Sequence, residues 1–122
     1  MKKQLLVIDD DPAIRGLVRR AFSGPDCEVT EAADGADAAA LVAEKRPDLV
    51  LLDLHMPRLD GIATLSEIRR RAAGTAVIML TGDHDSRRAQ LAMERGACDY
   101  ITKPFDMQTL RTCVTTYLLI AS

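Results

Sequence analysis

The chain has no tryptophan, only two phenylalanines and two tyrosines, and just three cysteines in 122 residues. So few aromatics leave no stacking platform for a single-stranded nucleic acid. The basic residues fall in short groups (Lys2-Lys3, Arg19-Arg20, Arg69-Arg70-Arg71 and Arg87-Arg88), which read as solvated helix faces. With a net charge of −2, no direct nucleic-acid binding is expected. Cys27, Cys98 and Cys113 are odd in number and lack CxxC spacing. That excludes a disulfide framework and predicts reduced, mostly buried thiols in a cytoplasmic protein. No apolar stretch approaches the roughly 18 residues of a membrane span. Lys2-Lys3 precedes an apolar run as in a signal peptide, but the run is shorter than the roughly seven residues required and meets Asp9 at once. No membrane association is expected. Internal repeats and low-complexity linkers are also missing, so residues 1–122 read as one domain large enough for its own core.

What the chain does have is two apolar runs that end abruptly in acid. Leu5-Leu6-Val7-Ile8 meets Asp9-Asp10-Asp11, and Leu49-Val50-Leu51-Leu52 meets Asp53. Short continuous apolar runs of this kind read as buried parallel strands. Their C-terminal ends share one edge of an open α/β sheet, where ligands bind. Side by side, the two strands would bring three carboxylates into one crevice. Such a cluster calls for a cation, and hard carboxylate oxygens suit Mg²⁺.

Strand and helix patterns alternate along the whole chain. Strands are expected at about 4–9, 27–32, 48–53, 76–81 and 99–102, the second nearer an edge because it alternates. Helices are expected after Asp11-Pro12, which reads as an N-cap and N1 pair, and at about 35–46, 61–72 and 85–96, the last stopped by Gly96. A fifth begins at N-cap Asp106. Five βα units with short loops predict an α/β fold: a five-stranded, doubly wound parallel sheet of order 2-1-3-4-5, flavodoxin-like and three-layered. Its switch point lies between the first and third strands, where both acidic clusters sit.

Chemistry is assigned strand end by strand end. Asp53 is the candidate nucleophile, since a carboxylate beside a metal can attack an activated phosphoryl group and form an acyl phosphate. Asp9 and Asp10 are the metal candidates, Asp10 directly and Asp9 through water. Neighbouring strand residues point to opposite faces, so the two converge only if the strand is ending. The backbone carbonyl of His55 could complete the octahedron. Asp11 reads as a helix cap. Thr81 could donate its hydroxyl to a phosphoryl oxygen, or simply turn a loop with Gly82. Lys103 could pair with Asp53 and then with phosphate, and an X–Pro bond to Pro104 can be cis and fix its direction.

Together these residues, within LLVIDDDP, PDLVLLDLHMPRLDG, VIMLTGD and GACDYITKPF, resemble the receiver domains of two-component response regulators over essentially the whole chain. The resemblance implies Asp53 as phosphoacceptor, and Asp9, Asp10, Asp53 and the His55 carbonyl around Mg²⁺, for which Mn²⁺ can substitute. It implies Thr81 and Lys103 as phosphoryl ligands, a cis bond before Pro104, and Tyr100 as a switch aromatic moving with Thr81. His55 and Asp83 would tune the phosphoryl lifetime. The implied donor is a sensor histidine kinase or phosphotransfer protein. The implied output is an attached domain or a protein partner, reached through the surface of helix four, strand five and helix five. On this reading the chain is a phosphoacceptor switch that assists its own phosphotransfer and autodephosphorylation, not an enzyme.

The resemblance also raises a phosphorylation-dependent homodimer. However, Thr109 and Cys113 stand where members with winged-helix DNA-binding domains carry Glu and Arg at that interface. The apolar tail Leu118-Leu119-Ile120 reads as a dimer contact or the start of a linker helix. The chain would be a stand-alone receiver or part of a longer regulator or hybrid kinase. Three competing readings are weaker. A haloacid-dehalogenase-type phosphatase would make Asp9 the nucleophile and leave Asp53 unexplained. A flavodoxin-like electron carrier would not place three aspartates where its phosphate binds. A phosphorylation-independent binding module would not need an intact site.

Overall fold

The computed structural model describes residues 2–56, 59–82 and 86–121. In chain order it comprises β1 (Lys3–Ile8), α1 (Pro12–Phe22), β2 (Cys27–Ala32), α2 (Gly35–Lys45), β3 (Leu49–Asp53), β4 (His55–Met56), β5 (Leu59–Asp60), α3 (Gly61–Arg71), β6 (Ala76–Gly82), α4 (Ser86–Glu94), β7 (Asp99–Lys103) and α5 (Met107–Ile120). The main sheet has five parallel strands in the order β2-β1-β3-β6-β7. This is the expected 2-1-3-4-5 arrangement, with β2 at one edge. The fourth and fifth strands of the sequence reading are β6 and β7.

Alternation within the strands decides the layers. Leu5, Val7, Leu49, Leu51, Ile78 and Leu80 face α1 and α5, where Val18, Leu110 and Val114 close one core. Leu6, Ile8, Val50, Leu52, Val77 and Met79 face the other way, onto Val42 of α2, Leu65 and Ile68 of α3, and Ala92 of α4. The central strands are therefore apolar on both faces, which is why they read as continuous runs.

Four helices start at an aspartate whose carboxylate accepts backbone N–H groups: Asp11, Asp34, Asp60 and Asp106. Each satisfies amides that have no partner inside the helix. Asp11 with Pro12 behind it is a cap, as expected.

The departures are local. A two-residue antiparallel hairpin, β4 with β5, lies between β3 and α3, where no strand was expected. The second helix ends at Lys45, one residue early, because Arg46 adopts a left-handed conformation with φ 46°. The fourth runs Ser86–Glu94, and Gly96 turns the chain with φ 110°. The three cysteines are free, as expected, but half-buried rather than buried. Among the described residues no helix is long and apolar enough to cross a membrane.

Candidate functional site

Strand register assembles the site. Ile8 pairs with Leu52, so the next residues, Asp9 and Asp53, emerge side by side at the C-terminal edge. Asp53 in turn lies opposite Leu80, one residue before Thr81, and Thr81 lies beside Thr102, one before Lys103. Carboxylate oxygens of Asp9, Asp10 and Asp53 lie within 4.8 Å of one another, two of these residues being buried and Asp10 exposed.

Every polar group of Asp9 has a partner. Its N–H donates to Ala32 O (3.1 Å). Its carbonyl accepts from Arg15 Nη1 (2.7 Å). Its carboxylate accepts from the Asp11 N–H (2.9 Å) and from Lys103 Nζ (2.7 Å). Lys103 Nζ also lies 3.6 Å from Asp53 Oδ1. Burial would depress this ammonium, but Asp9 and Asp53 outweigh it and hold its pKa above the ordinary lysine value. The Lys103–Pro104 bond is cis, as expected.

Asp53 is almost fully buried, and its Oδ1 accepts the His55 N–H (3.1 Å). Burial first, then repulsion from Asp9, push its pKa up to about 6, against the pull of His55 and Lys103. A carboxylate raised by its neighbours is one that a cation would relieve. Three oxygen donors at the mouth of a sheet fit a small divalent ion such as Mg²⁺, which needs few protein ligands and keeps several waters. Asp9, Asp10 and Asp53 would hold it.

Thr81 is buried at the end of β6, its hydroxyl donating to the Gly82 carbonyl (3.3 Å). Tyr100 lies on β7 and is 46% exposed, more open than a half-buried strand aromatic. It borders a groove of about 600 Å³ between β7 and α5, lined also by Asp106, Thr109, Cys113 and Tyr117. Cys113 Sγ sits 3.6 Å from Asp99 Oδ2, and burial together with that carboxylate pushes the thiol up to about 12. Asp83 lies outside the described residues.

Three supporting residues were not among the site candidates. Gly61 opens α3 so close to β3 that a Cβ there would lie 2.7 Å from Leu54 O and 2.9 Å from Asp53 O. Arg15 reaches back from α1 to the Asp9 carbonyl. Arg88 of α4 donates to Asp60 (2.6 Å), the cap of α3. Each depends on how one element packs against another, which a residue pattern does not encode.

A family model described as "Response regulator receiver domain" matches residues 5–115. The chain belongs to the response regulator receiver domain family. Receiver domains of this family act in two-component phosphorelay signalling. The chain is 40% identical over 101 residues to the DNA-binding transcriptional regulator NtrC of Escherichia coli, covering 83% of this chain and 22% of that protein. It is 37% identical over 110 residues to the response regulator MprA of a Mycobacterium species, covering 90% of this chain and 48% of that one. The chain thus spans less than half the length of either relative. Among solved structures, the receiver domain of NtrX from Brucella abortus superposes with a TM-score of 0.88 at 36% identity, covering 95% of this chain and 98% of that one. The chemotaxis protein CheY4 of Vibrio cholerae gives 0.87 at 28% identity, covering 96% of this chain and 99% of that one.

Proposed function

We propose that this receiver domain accepts a phosphoryl group on Asp53 from a phosphohistidine of a sensor kinase or phosphotransfer protein, with Mg²⁺ bound by Asp9, Asp10 and Asp53. The observation that carries this is the convergence of three carboxylates and one lysine at the C-terminal edge of the sheet. Bound Mg²⁺ would supply charge neutralisation for the phosphoryl oxygens and a template for their orientation. The rest falls to the protein. An Asp53 oxygen attacks phosphorus in line, the P–N bond to the donor imidazole breaks, and the imidazole leaves with that electron pair. Lys103 moves from Asp9 toward the transferred group, and the Thr81 hydroxyl turns from the Gly82 carbonyl to donate to a phosphoryl oxygen. Catalysis on this account is positioning and electrostatics, as in other phosphoryl transfers. The domain promotes its own phosphorylation and hydrolysis and does not turn over a separate substrate.

Movement of Thr81 leaves space that Tyr100 fills, which changes the face of α4, β7 and α5 and signals to an attached domain or protein partner. By the family resemblance, His55 and Asp83 tune the lifetime of the acyl phosphate. Thr109 and Cys113, which line the groove beside Tyr100, carry no charge and so do not supply the Glu and Arg of the winged-helix regulators' dimer interface. The test is site mapping. Acyl phosphate formed with acetyl phosphate and Mg²⁺ is reduced with borohydride, and homoserine is sought by peptide mass. Homoserine at position 53 supports the reading. Homoserine at position 9 would favour the phosphatase chemistry instead.

A further inference from the structure

We propose that Arg15 is a positioning residue for the acidic pair, held in place by Glu31. This rests on the reading of Asp9 and Asp10 as Mg²⁺ ligands. The β1–β2 ladder ends at Ile8 and Ala32. Asp9 still gives its N–H to Ala32 O, and the amide and carbonyl of one strand residue point to the same side. Its carbonyl therefore faces β2 after the ladder has stopped. Arg15 supplies the missing donor, Nη1 at 2.7 Å. The guanidinium is itself anchored, Nε donating to Glu31 Oε1 at 3.2 Å, and its side chain is only 18% exposed. Arg19 takes the other oxygen of Glu31 at 2.6 Å.

The pinned carbonyl belongs to the Asp9–Asp10 peptide. Asp9 and Asp10 would point to opposite faces in a continuing strand. Their carboxylates converge because the chain turns at this peptide, and Arg15 fixes its orientation. The guanidinium thus bridges Glu31 of β2 and the backbone carbonyl of Asp9. A contact on the α1–β2 face that engages Glu31 would thereby be felt at Asp9.

The sign of the effect separates positioning from charge. A guanidinium near a cation site repels the cation, so loss of its charge alone would tighten Mg²⁺ binding. Loss of positioning would weaken it. The experiment is calorimetric titration of Mg²⁺ into the unphosphorylated chain, with melting curves on every variant. Arg15→Ala should raise the Mg²⁺ Kd about tenfold, the usual scale for residues that orient metal ligands. Glu31→Ala should do so to a lesser degree, and it carries the test if Arg15→Ala does not fold. Glu31→Gln, which keeps an acceptor for Arg15, should restore most of the affinity. Arg19→Ala should bind as wild type does. Unchanged or tighter binding by folded Arg15→Ala and Glu31→Ala, beside a wild type that binds Mg²⁺, overturns the proposal. A wild type that binds no Mg²⁺ overturns the metal reading beneath it.

Discussion

Lys103 is bonded to Asp9 rather than to Asp53, with Nζ 2.7 Å from Asp9 Oδ2 and 3.6 Å from Asp53 Oδ1. The ammonium therefore satisfies the most buried carboxylate of the cluster. It also competes with any divalent ion for that carboxylate. Removing it should tighten Mg²⁺ binding several-fold while slowing phosphorylation, because the same ammonium is needed on the phosphoryl oxygens. Calorimetry and phosphorylation rates of Lys103→Ala check both. Weaker Mg²⁺ binding in this variant would show that Lys103 does not compete for the site.

Asp53 makes stability depend on pH in an unusual direction. Its pKa is about 6 in the fold, against an ordinary 3.8. Between those values the native state holds a proton that the unfolded chain has lost. Its contribution to stability therefore falls as pH rises from about 4 to about 6, and the full penalty remains above. Asp53→Asn should match wild type near pH 4 and exceed it above pH 6 by on the order of 2–3 kcal/mol without metal. Millimolar Mg²⁺ should narrow the gap by stabilising the wild type. Denaturant unfolding across this range checks it, and a difference independent of pH would contradict it.

Gly61 is required by contact with the backbone of Asp53 and Leu54, where β3 ends. An alanine Cβ would meet Leu54 O at 2.7 Å and Leu54 Cα at 2.8 Å, and neither can rotate away. Gly61→Ala should cost about 2 kcal/mol of stability. It should also weaken Mg²⁺ binding, since the segment that must shift carries Asp53. Thermal melting and calorimetry give the two numbers, and a variant as stable as wild type would refute the packing argument.

Tyr100 is exposed on β7 beside the α5 groove. Its truncation should leave stability and phosphorylation nearly unchanged but abolish the phosphorylation-dependent change of the α4–β7–α5 face. Amide exchange on those elements, with and without acetyl phosphate, reads this directly. An undiminished change in Tyr100→Ala would remove the tyrosine from the switch.

The strands, helices and layer order were legible because each is a local pattern. Leu49-Val50-Leu51-Leu52 is buried on both faces and reads so, and Asp11-Pro12 and Asp106 announce helix starts. The acidic cluster was legible because topology alone brings strand ends together. What stayed hidden depends on distance between elements. No residue pattern says that Arg15 reaches Asp9, that Arg88 reaches Asp60, or that Lys103 rests on Asp9. The β4–β5 hairpin was missed because two-residue strands have no period to detect.

The central claim is tested most directly by intact mass after brief incubation with acetyl phosphate, for wild type and Asp53→Asn, with and without Mg²⁺. The account predicts one added phosphoryl group on wild type with Mg²⁺, and none in the variant or without the metal. An adduct of equal yield on Asp53→Asn, or none on a wild type that binds Mg²⁺, would contradict it.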